Sequence, residues 1–235
     1  MKNTKFYLQA AMLLLPAFLS AQNVIPEPTQ YRPAKGQFVL TAAETKAFEA
    51  QDVLPGRVVQ YVISGSTPMD ADEAYHLKIT PDSVFIQSAT ATGAFRGKET
   101  LKQLLRSGKG TAKACVINDA PRYAWRGFML DESRHFFGKK KVKQLLDIMA
   151  SLRLNVFHWH LTDEPGWRIE IKKYPLLTQI GAKGNWHDPD APATFYTQDD
   201  IKEIVAYAAA RYIMVVPEFD MPGHATAVCR AYPEV

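Results

Sequence analysis

Leu154-Asn155-Val156-Phe157-His158-Trp159-His160-Leu161-Thr162-Asp163 is the stretch on which the fold turns. Its apolar body, Leu154 to Leu161, has the length of a strand and ends abruptly in polar residues. Strand alternation places His158 and His160 on one side, with Phe157 and Trp159 on the other. On its N-terminal side lies a second compact apolar strand, Gly127 to Leu130, which runs into Asp131-Glu132-Ser133-Arg134-His135. Between the two strands, from about Lys139 to Leu152, the residues Val142, Leu145, Leu146, Met149 and Leu152 recur at helical spacing and predict one buried stripe. On its C-terminal side, Thr197 with Asp200 three residues later predicts a helix cap, followed by a stripe of Ile201, Ile204, Val205 and Ala208. A third strand, Tyr212 to Val216, then leads out through Pro217-Glu218-Phe219-Asp220-Met221-Pro222-Gly223-His224.

Strands alternating with helical stripes imply parallel βαβ units, hence an α/β fold. Each strand is apolar at its start and carries carboxylates, Arg or His at its C-terminal end. In (β/α)8 barrels that end forms the reaction face, and doubly wound sheets bind ligands there too. No Gly-x-Gly-x-x-Gly follows any of the three strands, which argues against a nucleotide site.

The region before Ala120 reads differently. Pro26, Pro28 and Pro33 mark extended chain, Tyr75 to Ile79 and Ser83 to Gln87 alternate as half-buried strands, and Gly93 to Leu105 is a helical pattern closed by Gly108 and Gly110. This predicts a small α+β domain over residues 22–120, with a structural or docking role, ahead of a second domain over 121–235. At the N-terminus, Lys2 and Lys5 precede an apolar run from Phe6 to Leu19 and the small residues Ser20 and Ala21. That pattern predicts a signal peptide over 1–21, an exported (periplasmic or extracellular) product and no stable membrane anchor. No later run approaches the ~18 consecutive apolar residues of a membrane helix.

Of 235 residues, 47% are hydrophobic and 22% charged, which excludes disorder, collagen and a disulfide-stapled miniprotein. Removing Lys2 and Lys5 from 28 basic residues leaves 26 against 24 acids, or +2, so a broad basic field for nucleic acid is absent. Cys115 and Cys229 are expected to be unpaired and buried.

Several groups at the strand ends have chemical potential. Arg134 offers a planar fork for adjacent ligand oxygens, or else pairs with Asp131 or Glu132. Asp163, Glu164, Glu218 and Asp220 are strand-end acids; paired acids suggest glycosidic chemistry, and the alternative is ordinary solvated strand-exit residues. His224, after Pro222-Gly223, sits where Asp163 or Asp220 would orient its ring. His158 and His160 with Asp163 or His224 would instead suit a metal. Trp167, Tyr174, Trp186, Phe195 and Tyr196 fill the long connection after Glu164; aromatic faces of this kind pack against sugar rings, or else cover the outer helices of a barrel.

Pro121 to Phe136 resembles the first barrel strand of family 20 glycoside hydrolases, the β-N-acetylhexosaminidases. His158 to Asp163 followed by Gly166-Trp167-Arg168 is similar to their second strand, Pro217 to His224 to their third, and Gly93 to Leu105 to their N-terminal non-catalytic domain. The resemblance implies an α+β domain followed by the first three βα units of a (β/α)8 TIM barrel. It also implies exo-acting, retaining hydrolysis of glycans ending in N-acetylglucosamine or N-acetylgalactosamine. The substrate's own acetamido oxygen would attack the anomeric carbon, an exception to the two-carboxylate scheme. By resemblance, Arg134 holds the sugar's distal hydroxyls, Asp163 and His224 form a supporting network, Asp220 and His160 line the same mouth, and no cofactor is implied. The family's Asp-Glu pair follows a Gly-Gly on a fourth strand and has no counterpart after His224. The barrel is therefore expected to be truncated and this chain alone inactive, with neither Glu164 nor Glu218 taking the acid's role. A metal-dependent barrel hydrolase and a non-enzymatic sugar-binding remnant are the alternatives.

Overall fold

The computed structural model describes residues 24–62 and 73–234, so the leader expected over 1–21 lies outside the described residues. Two lobes follow one another. In the first, β1 (Gln30–Val39), α1 (Ala42–Gln51), β2 (Val58–Val62), β3 (Tyr75–Ile79), β4 (Val84–Ser88), α2 (Ala91–Ser107) and β5 (Thr111–Asp119) form a five-stranded sheet packed against α2. The strand order is β1-β5-β3-β4-β2, antiparallel except for β2 beside β4. Alternation explains the packing: Tyr75, Leu77, Ile79, Val84 and Ile86 point to one face and meet Leu101, Leu104 and Leu105 of α2. Thr90 Oγ1 accepts from Gly93 N at 3.0 Å to start α2. Gly93 is required there, since a Cβ would lie 2.3 Å from the Ala74 carbonyl oxygen.

The second lobe comprises β6 (Gly127–Asp131), α3 (Lys139–Ser151), β7 (Val156–His160), the short hairpin β8 (Thr162–Asp163) and β9 (Gly166–Trp167), α4 (Leu176–Gln179), α5 (Gln198–Ala209), β10 (Met214–Glu218) and α6 (Thr226–Ala231). The parallel sheet has the order β10-β7-β6, with Asp131 and Glu218 both in register with His160. All three strand ends therefore finish at one level. Phe157 and Trp159, on central β7, are fully buried against Val142, Leu146 and Met149 of α3 and Ile204 and Ala208 of α5. A capping box between Thr197 and Asp200 opens α5.

Three expectations need correction. Val205 is exposed, because α5 meets its neighbours only through the face of Ile201, Ile204 and Ala208, and Val205 lies on the flank beyond them. Cys115 is buried in the first lobe, where burial pushes its thiol up to about 11, but Cys229 is exposed on α6; both are free. The strands at Leu154 and Tyr212 begin two residues later than expected, after Arg153 and Tyr212 adopt left-handed backbone that an extended strand excludes.

The lobes meet where α2 faces the N-terminal ends of the parallel strands. Arg96 Nη2 donates to the Tyr212 carbonyl at 2.9 Å, and Arg153 Nη1 to Thr100 Oγ1 at 2.7 Å. Glu73 accepts from both Arg96 Nε and Arg126 Nη2 at 2.6 Å. None of the helices among the described residues is long and apolar enough to cross a membrane.

Candidate active site

The opposite ends of the same strands carry the chemistry. Hairpin β8–β9 folds the chain back immediately after β7, which buries Asp163 almost completely beneath the strand ends. Arg134 Nη2 lies 2.6 Å from Asp163 Oδ2, and Arg134 Nη1 donates to Asp131 Oδ2 at 2.6 Å. The other Asp163 oxygen faces His224 Nδ1 at 3.1 Å and accepts from Glu164 N at 2.6 Å. His160 Nε2 sits 3.1 Å from Asp220 Oδ2, 3.3 Å from Asp163 Oδ2 and 2.8 Å from the Thr162 carbonyl oxygen. A carbonyl can only accept, so Nε2 carries the hydrogen. Asp220 is anchored by its own N–H donating to Thr162 Oγ1 at 3.1 Å.

Five residues singled out in the sequence, Arg134, His160, Asp163, Asp220 and His224, thus converge on one mouth. His158 points to the same side of β7 two residues earlier, is more exposed than His160, and its ring pairs with Glu218. Glu164 is exposed beyond the cluster. Of the connection's aromatic residues, Trp167 and Tyr196 are core residues, whereas Tyr174 and Trp186 are exposed.

Sequence reasoning weighed Asp131 only as a neutralising partner. It is a working part of the cluster, because Asp131 Oδ1 also accepts from the N–H groups of Ser133 and Arg134 at 3.0 Å and so fixes the turn that presents the guanidinium. Burial would raise its carboxyl, but these bonds and the Arg134 charge outweigh burial and hold it below the usual range. Its position three residues before Arg134 at a strand end was the available signal. Glu132, the other partner weighed for Arg134, is instead fully buried away from it, and Arg168, also fully buried, was read only as part of a motif and given no role. Glu132 accepts from Tyr196 OH and Phe137 N at 2.7 Å, and burial pushes its carboxyl up despite those bonds.

Among the described residues, His160, Asp163 and Asp220 are the group whose donor atoms could surround a cation, lying within 4.8 Å of one another. The donor set fits a metal poorly. His160 Nε2 presents a hydrogen rather than a lone pair, and although Asp163 Oδ2 accepts no hydrogen bond, the Arg134 guanidinium lies 2.6 Å from it and would repel a cation there. What the arrangement offers a ligand is different: a half-exposed guanidinium fork held by two carboxylates, next to an exposed imidazole whose other nitrogen is oriented by a buried carboxylate.

Known proteins resemble this chain over both lobes. The sequence model for the catalytic domain of glycosyl hydrolase family 20 matches residues 123–235, and that for domain 2 of the same family matches residues 43–120. A β-hexosaminidase of Porphyromonas gingivalis is 33% identical over 97% of this chain and 34% of its own length. One from Vibrio furnissii is 36% identical over 90% of this chain and 39% of its own. Among solved structures, the Streptomyces plicatus N-acetyl-β-hexosaminidase in complex with thio-NAglucal superposes with a TM-score of 0.80 at 34% identity, covering 91% of this chain and 48% of that one. The family 20 exo-β-N-acetylglucosaminidase of Vibrio harveyi in complex with N-acetylglucosamine gives 0.77 at 32% identity, covering 93% and 39%. The chain thus spans between a third and a half of these relatives. With both lobes matched in order by models of one family, and relatives 33% and 36% identical over 97% and 90% of its length, this chain belongs to glycosyl hydrolase family 20.

Proposed function

We propose that this chain forms the sugar-gripping side of an exported β-N-acetylhexosaminidase. Its three parallel strands would be the opening βα units of a (β/α)8 barrel, behind a non-catalytic domain over 22–120. The substrates are glycans ending in N-acetylglucosamine or N-acetylgalactosamine, and the acetamido oxygen supplies the nucleophile in a retaining reaction. The observation that carries this reading is the chain of contacts from Arg134 through Asp163 to His224. The guanidinium fork suits two adjacent hydroxyls of a pyranose, and Asp163 orients the imidazole that faces solvent.

No residue of the cluster is placed to protonate a leaving oxygen. Glu164 is exposed outside the mouth, and Glu218 is tied to His158. The 235-residue chain should therefore bind N-acetylglucosamine weakly and release no chromophore from a 4-nitrophenyl N-acetylglucosaminide. Turnover well above blank would show that the acid lies within these residues. Failure to bind N-acetylglucosamine at all would overturn the functional reading.

A further inference from the structure

Arg168 is a fully buried guanidinium whose hydrogen bonds all end on uncharged acceptors. Its Nε donates to the Glu132 carbonyl at 3.2 Å and its Nη2 to the carbonyls of Ser133 at 2.8 Å and Gly184 at 2.7 Å. Its Nη1 donates to the Ala182 carbonyl at 2.7 Å and the Thr194 carbonyl at 3.2 Å, with Thr194 Oγ1 at 3.3 Å. All five donors of the fork are thereby spent on five backbone carbonyls. Those carbonyls belong to two loops. Glu132 and Ser133 immediately precede Arg134, and Ala182, Gly184 and Thr194 belong to the connection that carries Trp186.

The two loops are also tied to each other. Trp186 N donates to the Arg134 carbonyl at 3.1 Å, and the rings of His135 and His187 pack with centroids 4.8 Å apart. Local sequence accommodates the guanidinium. A Cβ at Gly166 would lie 2.4 Å from Arg168 Cζ, and Gly184, at φ +82°, has no room for a Cβ beside the Pro189 carbonyl oxygen, 2.6 Å away.

We infer that Arg168 is a positioning residue: it locks the Arg134 turn to the Trp186 connection, so that the sugar-holding guanidinium and the exposed aromatic present one rigid surface. What Arg134 holds rests on the functional reading above; the clamp itself does not. Neither charge nor bulk alone reproduces it, because a lysine has three donors radiating from one nitrogen and cannot reach both loops.

The test compares wild type with Arg168→Lys and Arg168→Met, each confirmed folded by circular dichroism at the assay temperature. Two readouts are taken on the 235-residue chain: native-state tryptic cleavage after Lys183, which needs no sugar, and the dissociation constant for N-acetylglucosamine. Lys183 is exposed, but the backbone on both sides of it is held by Arg168. Both variants should free that backbone, speed tryptic cleavage after Lys183 and weaken binding about tenfold or more, at a temperature where the folded fraction is unchanged. Retention of wild-type protection and affinity by Arg168→Lys would overturn the inference, since charge in the core would then suffice. Loop release with unaltered affinity would overturn it as well, leaving only a structural tie. If neither variant folds, Gly184→Ala displaces one of the clamped carbonyls with Arg168 in place and should shift both readouts in the same direction; no shift overturns the proposal. If wild type itself fails to bind the sugar, the functional reading falls, and the tryptic readout alone decides whether the clamp exists.

Discussion

The two ends of the parallel sheet hold charged clusters of opposite character. At the N-terminal ends, Arg96 and Arg126 share Glu73, and each also donates to two backbone carbonyls, Arg211 and Tyr212 for Arg96, Arg153 and Tyr123 for Arg126. Asn155 closes the group by donating to Glu73 Oε1 at 3.0 Å. At the C-terminal ends, three carboxylates, Asp131, Asp163 and Asp220, surround His160 and Arg134, and acceptors predominate. The lower cluster is the more buried, with Arg96 only 2% exposed and Glu73 and Arg126 at 14% on the wall of a cavity; the upper one opens on solvent through Arg134 at 31% and His224 at 57%. Largely buried charges that bridge to each other and to backbone of both lobes hold the lobes together. Charges that keep donors facing outward are the ones free to meet a ligand.

The largest effect expected from this contrast is at the more buried end. Glu73→Ala leaves two guanidinium groups sharing a low-dielectric contact without their carboxylate, and should cost about 3–5 kcal/mol in denaturant unfolding. Sugar affinity, measured where the variant is still folded, should not change. A cost below ~1 kcal/mol would break the comparison, because the lower cluster would then be as expendable as a surface pair.

At the open end the pattern should invert. Arg134→Lys keeps the charge and loses the fork that reaches Asp131 and Asp163 together. Affinity for N-acetylglucosamine should drop by about 1.5–3 kcal/mol, the worth of hydrogen bonds to a charged group, while stability moves by less than the Glu73→Ala variant. Equal losses of stability and affinity would mean that the upper cluster, too, is architecture. Thr197→Ala calibrates both, because this cap belongs to neither cluster. Losing the Thr197 Oγ1 acceptor for Asp200 N, 3.1 Å away, should cost about 1 kcal/mol without touching the sugar.

Much of this contrast could be read from the chain, and the reason is periodicity. Phe157, His158, Trp159 and His160 alternate so regularly that the register of β7 follows from side-chain character alone, and the capping box at Thr197 is visible as two residues at fixed spacing. Arg134, His160, Asp163, Asp220 and His224 stand where strands run out, so their convergence follows once the strands are parallel. Arg168 and Glu132 could not be found that way. Arg168 bonds backbone carbonyls 14 to 36 residues away, and a carbonyl has no letter in the sequence. Glu73 was hidden for a similar reason: its partners Arg96 and Arg126 are 23 and 53 residues distant, in different lobes. Val205 failed in the other direction, since periodicity marks an apolar face but not how wide a neighbour covers it.

The smallest expected effect separates adjacent residues at the open end. Asp131 is held below its ordinary value of 3.8, and Glu132 is pushed above its ordinary 4.5. For Asp131 the folded state binds its proton less readily than the unfolded chain. Its contribution is therefore complete above pH ~3.8 and lost as pH falls through the lowered folded value. Glu132 works in the opposite sense. Ionising this buried carboxyl opposes folding above its raised folded value, and that opposition fades as pH falls towards 4.5. Thermal unfolding followed from pH 7 to pH 3 should thus show stability rising on the way down to about 4.5, then falling below 3.8. Glu132→Gln should flatten the upper limb and Asp131→Asn the lower one. If the limbs responded to the wrong variant, the closed carboxylate under Tyr196 and the open one facing Arg134 would have exchanged roles, and the division between sealed and ligand-facing charge would fail at the site where the two touch.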